Sequence, residues 1–286
     1  MKLRFILTMS LSFIVLMAFG QNHKSSYVIY NKKGKKTSYK KLLKSSNNGD
    51  IILFGEFHNN PISHWLQLEL TTDLQKNNDL ILGAEMIEAD NQDALNQYLN
   101  DEIDQKGLDT LARLWNNYDT DYAPLVDFAK ANTLPFIATN IPRRYASMVF
   151  KKGGFPALDG LSDLEKSWIA PLPIAFDAEL SQYKKMMEMM GGKGADIVKA
   201  QAIKDATMAH FILENYKTGS TFLHYNGAFH SDFHEGILWY LQQQKPDLNY
   251  VTITTVSQKD ISKLDKENKG RADFIICVDE DMTTTY

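Results

Sequence analysis

One cysteine, Cys277, in 286 residues leaves no disulfide framework, and no cysteine near residue 20 could carry a lipid. Charge of one sign is also missing. A formal net charge of −4, a sequence pI of about 6.0 and no basic stripe interleaved with aromatics exclude a nucleic-acid partner. No serine sits in a Gly-x-Ser-x-Gly elbow, no Walker-type or Gly-x-Gly-x-x-Gly loop follows a strand, and His58-Asn59-Asn60 is not the His-Glu-x-x-His of zinc proteases. Serine hydrolases, nucleotide enzymes and dinucleotide enzymes are therefore disfavoured.

What is present begins with Lys2 and Arg4 ahead of an apolar run from Phe5 to Phe19, with Ala18 and Gly20 at the −3 and −1 positions of a cut before Gln21. This is the pattern of a secretory signal peptide at 1–20, and it leads us to expect a soluble periplasmic or secreted protein. Residues 21–48 form a polar, lysine-rich arm: an edge hairpin at Tyr27-Val28-Ile29-Tyr30, then a helix ending near Ser45.

Residues 49–286 read as a single α/β domain with a mostly parallel sheet. Ile51-Ile52-Leu53-Phe54 is a continuous apolar run that ends in Gly55-Glu56-Phe57-His58, as expected of a strand covered on both faces whose carboxyl end carries a site. Pro61 marks a helix start, and further strands are expected at Asp79–Ala84, Leu134–Thr139, Thr221–Asn226, Tyr250–Val256 and Phe274–Val278, separated by helices. Between 151 and 194 the prolines and paired glycines interrupt short helices, which suggests a helical insertion or lid. It ends in a methionine group, Met186 to Met190, whose soft side chains suit a flat apolar ligand.

The chemistry gathers at the strand ends. Gly55-x-x-His58 and Gly227-x-x-His230 repeat one pattern, in which glycine is expected to turn the chain and the histidine to point over the crevice. Glu85 and Asn140 occupy corresponding positions on other strands. Histidines and carboxylates converging from separate strands suit a divalent metal such as Mn, Co or Zn, giving a candidate ligand set of His58, Glu56, Glu85 and His230. His234 joins it, as an i, i+4 helical pair with His230.

In order along the chain stand Gly55-x-x-His58, Gly83-Ala84-Glu85-Met86, Asp121-Tyr122-Ala123-Pro124-Leu125, Thr139-Asn140-Ile141-Pro142-Arg143-Arg144, Gln201-x3-Asp205-x2-Met208-Ala209 and Gly227-x-x-His230. Over roughly Ile51 to Val256 this series resembles the ChaN-like haem-binding uptake proteins, in the wider group of Tiki metalloproteases, TraB proteins and erythromycin esterases. The resemblance implies an α/β fold and haem held in a pocket, with paired haems stacked in a homodimer, a tyrosine on the iron and service to outer-membrane haem uptake machinery. It makes Tyr122 and Tyr118 the candidate iron ligands, with His58, His230 and Asn140 also touching the cofactor and Trp115 and the methionines as apolar wall. ChaN proteins are commonly lipoproteins; this chain departs from that. The alternative is a metal-dependent hydrolase, a Tiki-like peptidase or esterase, in which Glu56 and Glu85 serve the metal or its water and Arg143 or Arg144 stabilises an oxyanion.

Overall fold

Ile51–Glu56 is buried at every position, because it lies in the middle of a seven-stranded sheet with helices on both sides. The computed structural model describes residues 24–191 and 194–286; the expected signal peptide lies outside the described residues. Its strands are β1 (Tyr27–Asn31), β2 (Ile51–Glu56), β3 (Leu80–Glu88), β4 (Phe136–Asn140), β5 (Thr221–Gly227), β6 (Tyr250–Gln258) and β7 (Phe274–Asp279). They lie in the order β1-β7-β6-β2-β5-β3-β4, all parallel except β1. The amino-terminal segment is thus the domain's own edge: β1 pairs antiparallel with β7, and the helix that follows, α1 (Tyr39–Ser46), is capped by Ser38.

Alternation along each strand decides which helices it meets. Ile52 and Phe54 pack with α2 (Pro61–Gln75), α3 (Gln92–Leu99) and, beyond the short α4 (Gln105–Leu111), α5 (Ala123–Ala131) through Leu66, Leu70, Leu95 and Val126. Ile51 and Leu53 pack on the other face. After α6 (Arg143–Lys151), α7 (Asp163–Lys166) and α8 (Ser181–Met189), that face is covered by α9 (Ala195–Asn215) and α10 (Ile237–Gln244) through Ala209, Ile212, Ile237 and Leu241. Each such leucine or isoleucine, fully buried, contributes about 1.5–3 kcal/mol.

The connection from β2 passes over to β3 and β4, and the chain then returns to insert β5 between β2 and β3 before moving to β6 on the other side of β2. Strand order therefore reverses at β2 and β5, and the crevice at their carboxyl ends is the place where such sheets bind ligands. Register puts Glu56 level with Gly227 and Ala84 level with Tyr225, while a bulge between Ala84 and Glu88 re-aims the end of β3.

At the opposite edge, Gln92 acts as a one-residue strand: its side-chain nitrogen donates to the Phe136 carbonyl at 3.0 Å, and its oxygen accepts from the Ala138 amide at 2.7 Å. That satisfies two edge groups of β4 and denies them to another chain. Gln92→Ala is expected to lower unfolding stability by about 1–2 kcal/mol, since both groups lose a partner, and to raise aggregation on heating. Chemical denaturation with light scattering checks this, and an unchanged midpoint would show the edge to be protected otherwise.

Candidate functional site

Asn60 caps α2 by accepting from the Ile62 and Ser63 amides, and Pro61 fills the first turn, so the helix starts immediately after the Glu56-Phe57-His58 strand end. Its inward face then brings His64 and Gln67 back over Glu56, at the i, i+3 spacing that shares one side of a helix. The Glu56 carboxylate is buried and fully engaged. Oε1 accepts from His58 Nδ1 and the Tyr122 hydroxyl, each at 2.8 Å, while Oε2 accepts from Gln67 Nε2 at 2.5 Å and lies 3.4 Å from His64 Nδ1. Tyr122 reaches it from the end of a π-helical turn, Tyr118–Tyr122, a widening that recurs at functional sites.

With Nδ1–H donated to a carboxylate, His58 brings Nε2 up against Gly227, and no hydrogen-bond partner meets Nε2 among the described residues. Burial pulls this imidazole down, but the Glu56 hydrogen bond and the Glu85 charge outweigh it and leave His58 above its ordinary value. Its side chain is 33% exposed, against 0% for Glu56, so the histidine is the reachable member of the pair.

Across the crevice a second pair is built the same way but sealed. His230 lies between two carboxylates: Nδ1 on Asp205 from α9, and Nε2 3.1 Å from Glu85 of β3. Asp205 also accepts from the Tyr183 hydroxyl of α8 at 2.7 Å, and Glu85 from the Gly227 amide at 2.7 Å. Burial alone would discharge His230, yet the Glu85 and Asp205 charges hold it up to about 9. Burial pushes Glu85 up, and the His230 charge and hydrogen bond overcome that and hold it well below the carboxylate range. In Asp205 burial wins, and the pKa is raised. Near neutral pH His230 is thus an imidazolium held beside an ionised Glu85.

The glycines of the repeated motif serve close approach. Gly227 has φ −58° and ψ 138°, an ordinary extended backbone, so no turn requires glycine there. A Cβ at this position would stand 2.7 Å from His58 Nε2 and 3.4 Å from Glu85 Oε2. Gly227→Ala is therefore expected to fold nearly normally, because a side-chain tip can move aside, while tilting His58 off Glu56 and weakening whatever His58 binds at least tenfold. Melting and ligand titration of the same sample check the two halves of that statement.

Four of the residues expected from sequence meet in this crevice: Glu56, His58, Glu85 and His230. His234 does not join them. Ala228–His230 and Asp232–His234 are separate single turns, with Phe233 and His234 both at left-handed φ, so the expected helical pair does not form; His234 instead faces Thr252 and Asp273. Among the described residues no three His, Cys, Asp or Glu side chains form a group that could hold a metal ion. The expected metal donors are committed to one another, as His–carboxylate pairs.

Both candidate tyrosines are buried. Tyr122 donates its proton to Glu56, and burial and that neighbouring charge raise its pKa far above normal. Tyr118 sits in the apolar core at 2% exposure, its hydroxyl without a partner among the described residues. Asn140, at the end of β4, is buried with its side-chain oxygen likewise without a partner among them. His224 is fully buried against Thr139 and pushed down to about 4 by burial, and Tyr225 points into the other face, to Thr71. The expected methionine wall is displaced too: Met189 and Met190 are exposed, and Met186 and Met187 pack near Tyr183.

The space beside the crevice is a cleft of about 620 Å³ whose lining includes Leu114, Trp115, Arg113, Arg143, Asn117, Thr285 and Tyr286. Trp115 meets the His58 ring edge-on at 4.8 Å, and Asn117 donates to the His58 carbonyl at 3.0 Å, which puts the cleft next to the exposed histidine. Thr285 ties the far wall down, donating through its amide to the Asn59 carbonyl at 3.0 Å and through its hydroxyl to Asp121 at 2.8 Å. Sequence reading did not assign roles to Gln67, His64, Tyr183, Asp205, Arg113 or Tyr286. Only for Asp205 was there a signal, its place in the Gln201-x3-Asp205 motif; the rest are brought in from helices and a tail by packing alone.

A family model described as haem-binding uptake, Tiki superfamily, ChaN matches residues 42–241. Among solved structures, ChaN of Campylobacter jejuni, described for its cofacial haem binding, superposes with a TM-score of 0.66 over 88% of this chain and 97% of that one, at 16% identity. A histidine-to-asparagine mutant of erythromycin esterase EreC in its open conformation gives 0.53 over 92% and 99%, at 9% identity. Both likenesses are of fold. Protein RETICULATA-RELATED 5, chloroplastic, from Arabidopsis thaliana is 25% identical over 206 residues, 65% of this chain and 27% of that protein, so the chain spans about a quarter of the length of this curated relative.

Proposed function

The chain belongs to the ChaN family of haem-binding uptake proteins in the Tiki superfamily, and from that premise we propose that it binds haem as cargo, in the cleft beside His58, for haem or iron uptake. The observation that carries the reading is His58 itself: a partly exposed imidazole whose Nδ1–H is fixed on a buried carboxylate and whose Nε2 has no hydrogen-bond partner among the described residues. This is the arrangement in which a histidine ligates a metal centre, the carboxylate raising its basicity and fixing its tautomer. Trp115 and Leu114 offer an apolar wall for a porphyrin face, and Asn140 holds a buried acceptor in want of a donor. Haem iron would take the free nitrogen of His58, with Glu56 orienting the ring.

Titrating purified protein with haemin tests this by absorbance: a saturable Soret change near one equivalent per chain is expected, and its absence would overturn the reading. The signal-like amino terminus supports a periplasmic or secreted site of action, and the family supports a homodimer and an outer-membrane partner. Sedimentation with and without haemin checks the dimer.

A second reading is favoured by one specific observation, the pairing of a basic His58 with a cationic His230 around Glu85. His58 would take a proton from the attacking water and return one to the leaving group, while His230, held by Asp205 and Glu85, keeps Glu85 ionised beside it, as in hydrolysis of an ester or amide. His230→Gln separates the two: hydrolysis of a chromogenic ester would be lost, and the haemin spectrum kept.

A further inference from the structure

We propose that Arg143 recognises the carboxylates of the bound ligand, so that the cleft selects an anionic porphyrin over its neutral form; this rests on the haem reading above. The observation is an imbalance of charge at the cleft. Three arginines lie around its rim and the adjoining α6, and two are spoken for: Arg113 is paired with Glu88, and Arg144 with Asp90 at 2.5 Å. Arg143 lines the cleft, is exposed, and has no carboxylate within ion-pair distance among the described residues.

Arg143 is the first residue of α6, and its backbone amide already meets the Glu88 carboxylate that pairs with Arg113, so Glu88 is taken and the Arg143 guanidinium is left on the cleft. An anion arriving in the cleft would pair with it. The guanidinium fork matches a carboxylate with two parallel hydrogen bonds, which a lysine or a neutral ester partner could not reproduce. Leu114 and Trp115 provide apolar surface on the same cleft. A flat apolar body with carboxylates at its edge is the class of ligand that satisfies both, and haem, with two propionates, is a member.

The test compares haemin with haemin dimethyl ester, in which both carboxylates are neutralised, on the wild type and on Arg143→Gln, by absorbance titration at fixed ionic strength. The wild type is expected to bind haemin roughly tenfold more tightly than the ester, the size of one charge-assisted contact in a partly solvated cleft. Arg143→Gln should lose that preference by weakening haemin alone, with ester affinity and melting temperature unchanged; Arg143→Lys should keep part of it. Equal affinity of the wild type for the two porphyrins, or undiminished haemin binding by Arg143→Gln, overturns the role of Arg143 while leaving haem binding standing. Failure of the wild type to bind either porphyrin overturns both readings together.

Discussion

Asp205→Ala is expected to cost about 3–5 kcal/mol of unfolding stability, the range for removing one member of a buried ion pair. His230 would be left a buried cation with one carboxylate in place of two, and both its Nδ1–H and the Tyr183 hydroxyl would lose their acceptor. For a chain of this size the loss corresponds to a melting temperature lower by roughly 10 °C. Asp205→Asn, which keeps an acceptor for Tyr183, should lose less. A shift under 1 kcal/mol for the alanine variant would show that the cluster is not holding charge.

The same cluster sets a pH profile. His230 is raised from 6.5 to about 9 in the fold, so its contribution is complete below pH 6.5 and is lost as pH rises through about 9. Glu85 is depressed, so its contribution is present above its ordinary 4.5 and lost on acidification below that. Asp205 runs the other way, its raised pKa making protonation favourable in the fold, which adds a decline in stability as pH climbs above the acid range. Stability should therefore be greatest between about pH 4.5 and 6.5 and fall on the alkaline side. In His230→Gln the alkaline fall should be much shallower. Urea midpoints measured across the range decide it.

The second large effect is on binding. His58→Ala is expected to abolish the saturable Soret change, an affinity loss of at least about 100-fold, since even losing a residue behind the ligand costs 10–100-fold. Glu56→Gln should fall within that lesser range, by loosening the imidazole it orients. Tyr122→Phe removes one of the donors to Glu56 and should cost about 1 kcal/mol. Tyr118→Phe should change nothing in the spectrum and little in stability, because its hydroxyl is buried without a partner. Should His58→Ala bind haemin like the wild type, the iron ligand lies elsewhere, and Tyr286, the tyrosine that lines the cleft, is the next to replace.

Local pattern determined a great deal here. The apolar runs at Ile51, Leu80, Thr221 and Tyr250 were legible as buried parallel strands, because a strand covered on both faces has no polar side to show. The Gly-x-x-His repeat located the crevice for a related reason: a histidine and an acid just past such a run must lie at its carboxyl end. What spacing could not decide was how far each side chain reaches and what it touches. Gly227 reads as a turn residue, but only the packed structure reveals His58 Nε2 lying against its Cα, which is a steric demand between residues far apart in sequence. His230 and His234 are four apart, yet left-handed backbone at Phe233 and His234 breaks the helix that spacing assumes. Tyr122 and Tyr118 share one turn and the same residue type; burial sends one hydroxyl to Glu56 and leaves the other in the core. The sequence by itself determined that this is a parallel α/β sheet with its site at the ends of β2 and β5. The tertiary structure alone decided that the site is two His–carboxylate pairs, one sealed and one open, because charge state and access depend on neighbours that packing, and not chain order, brings together.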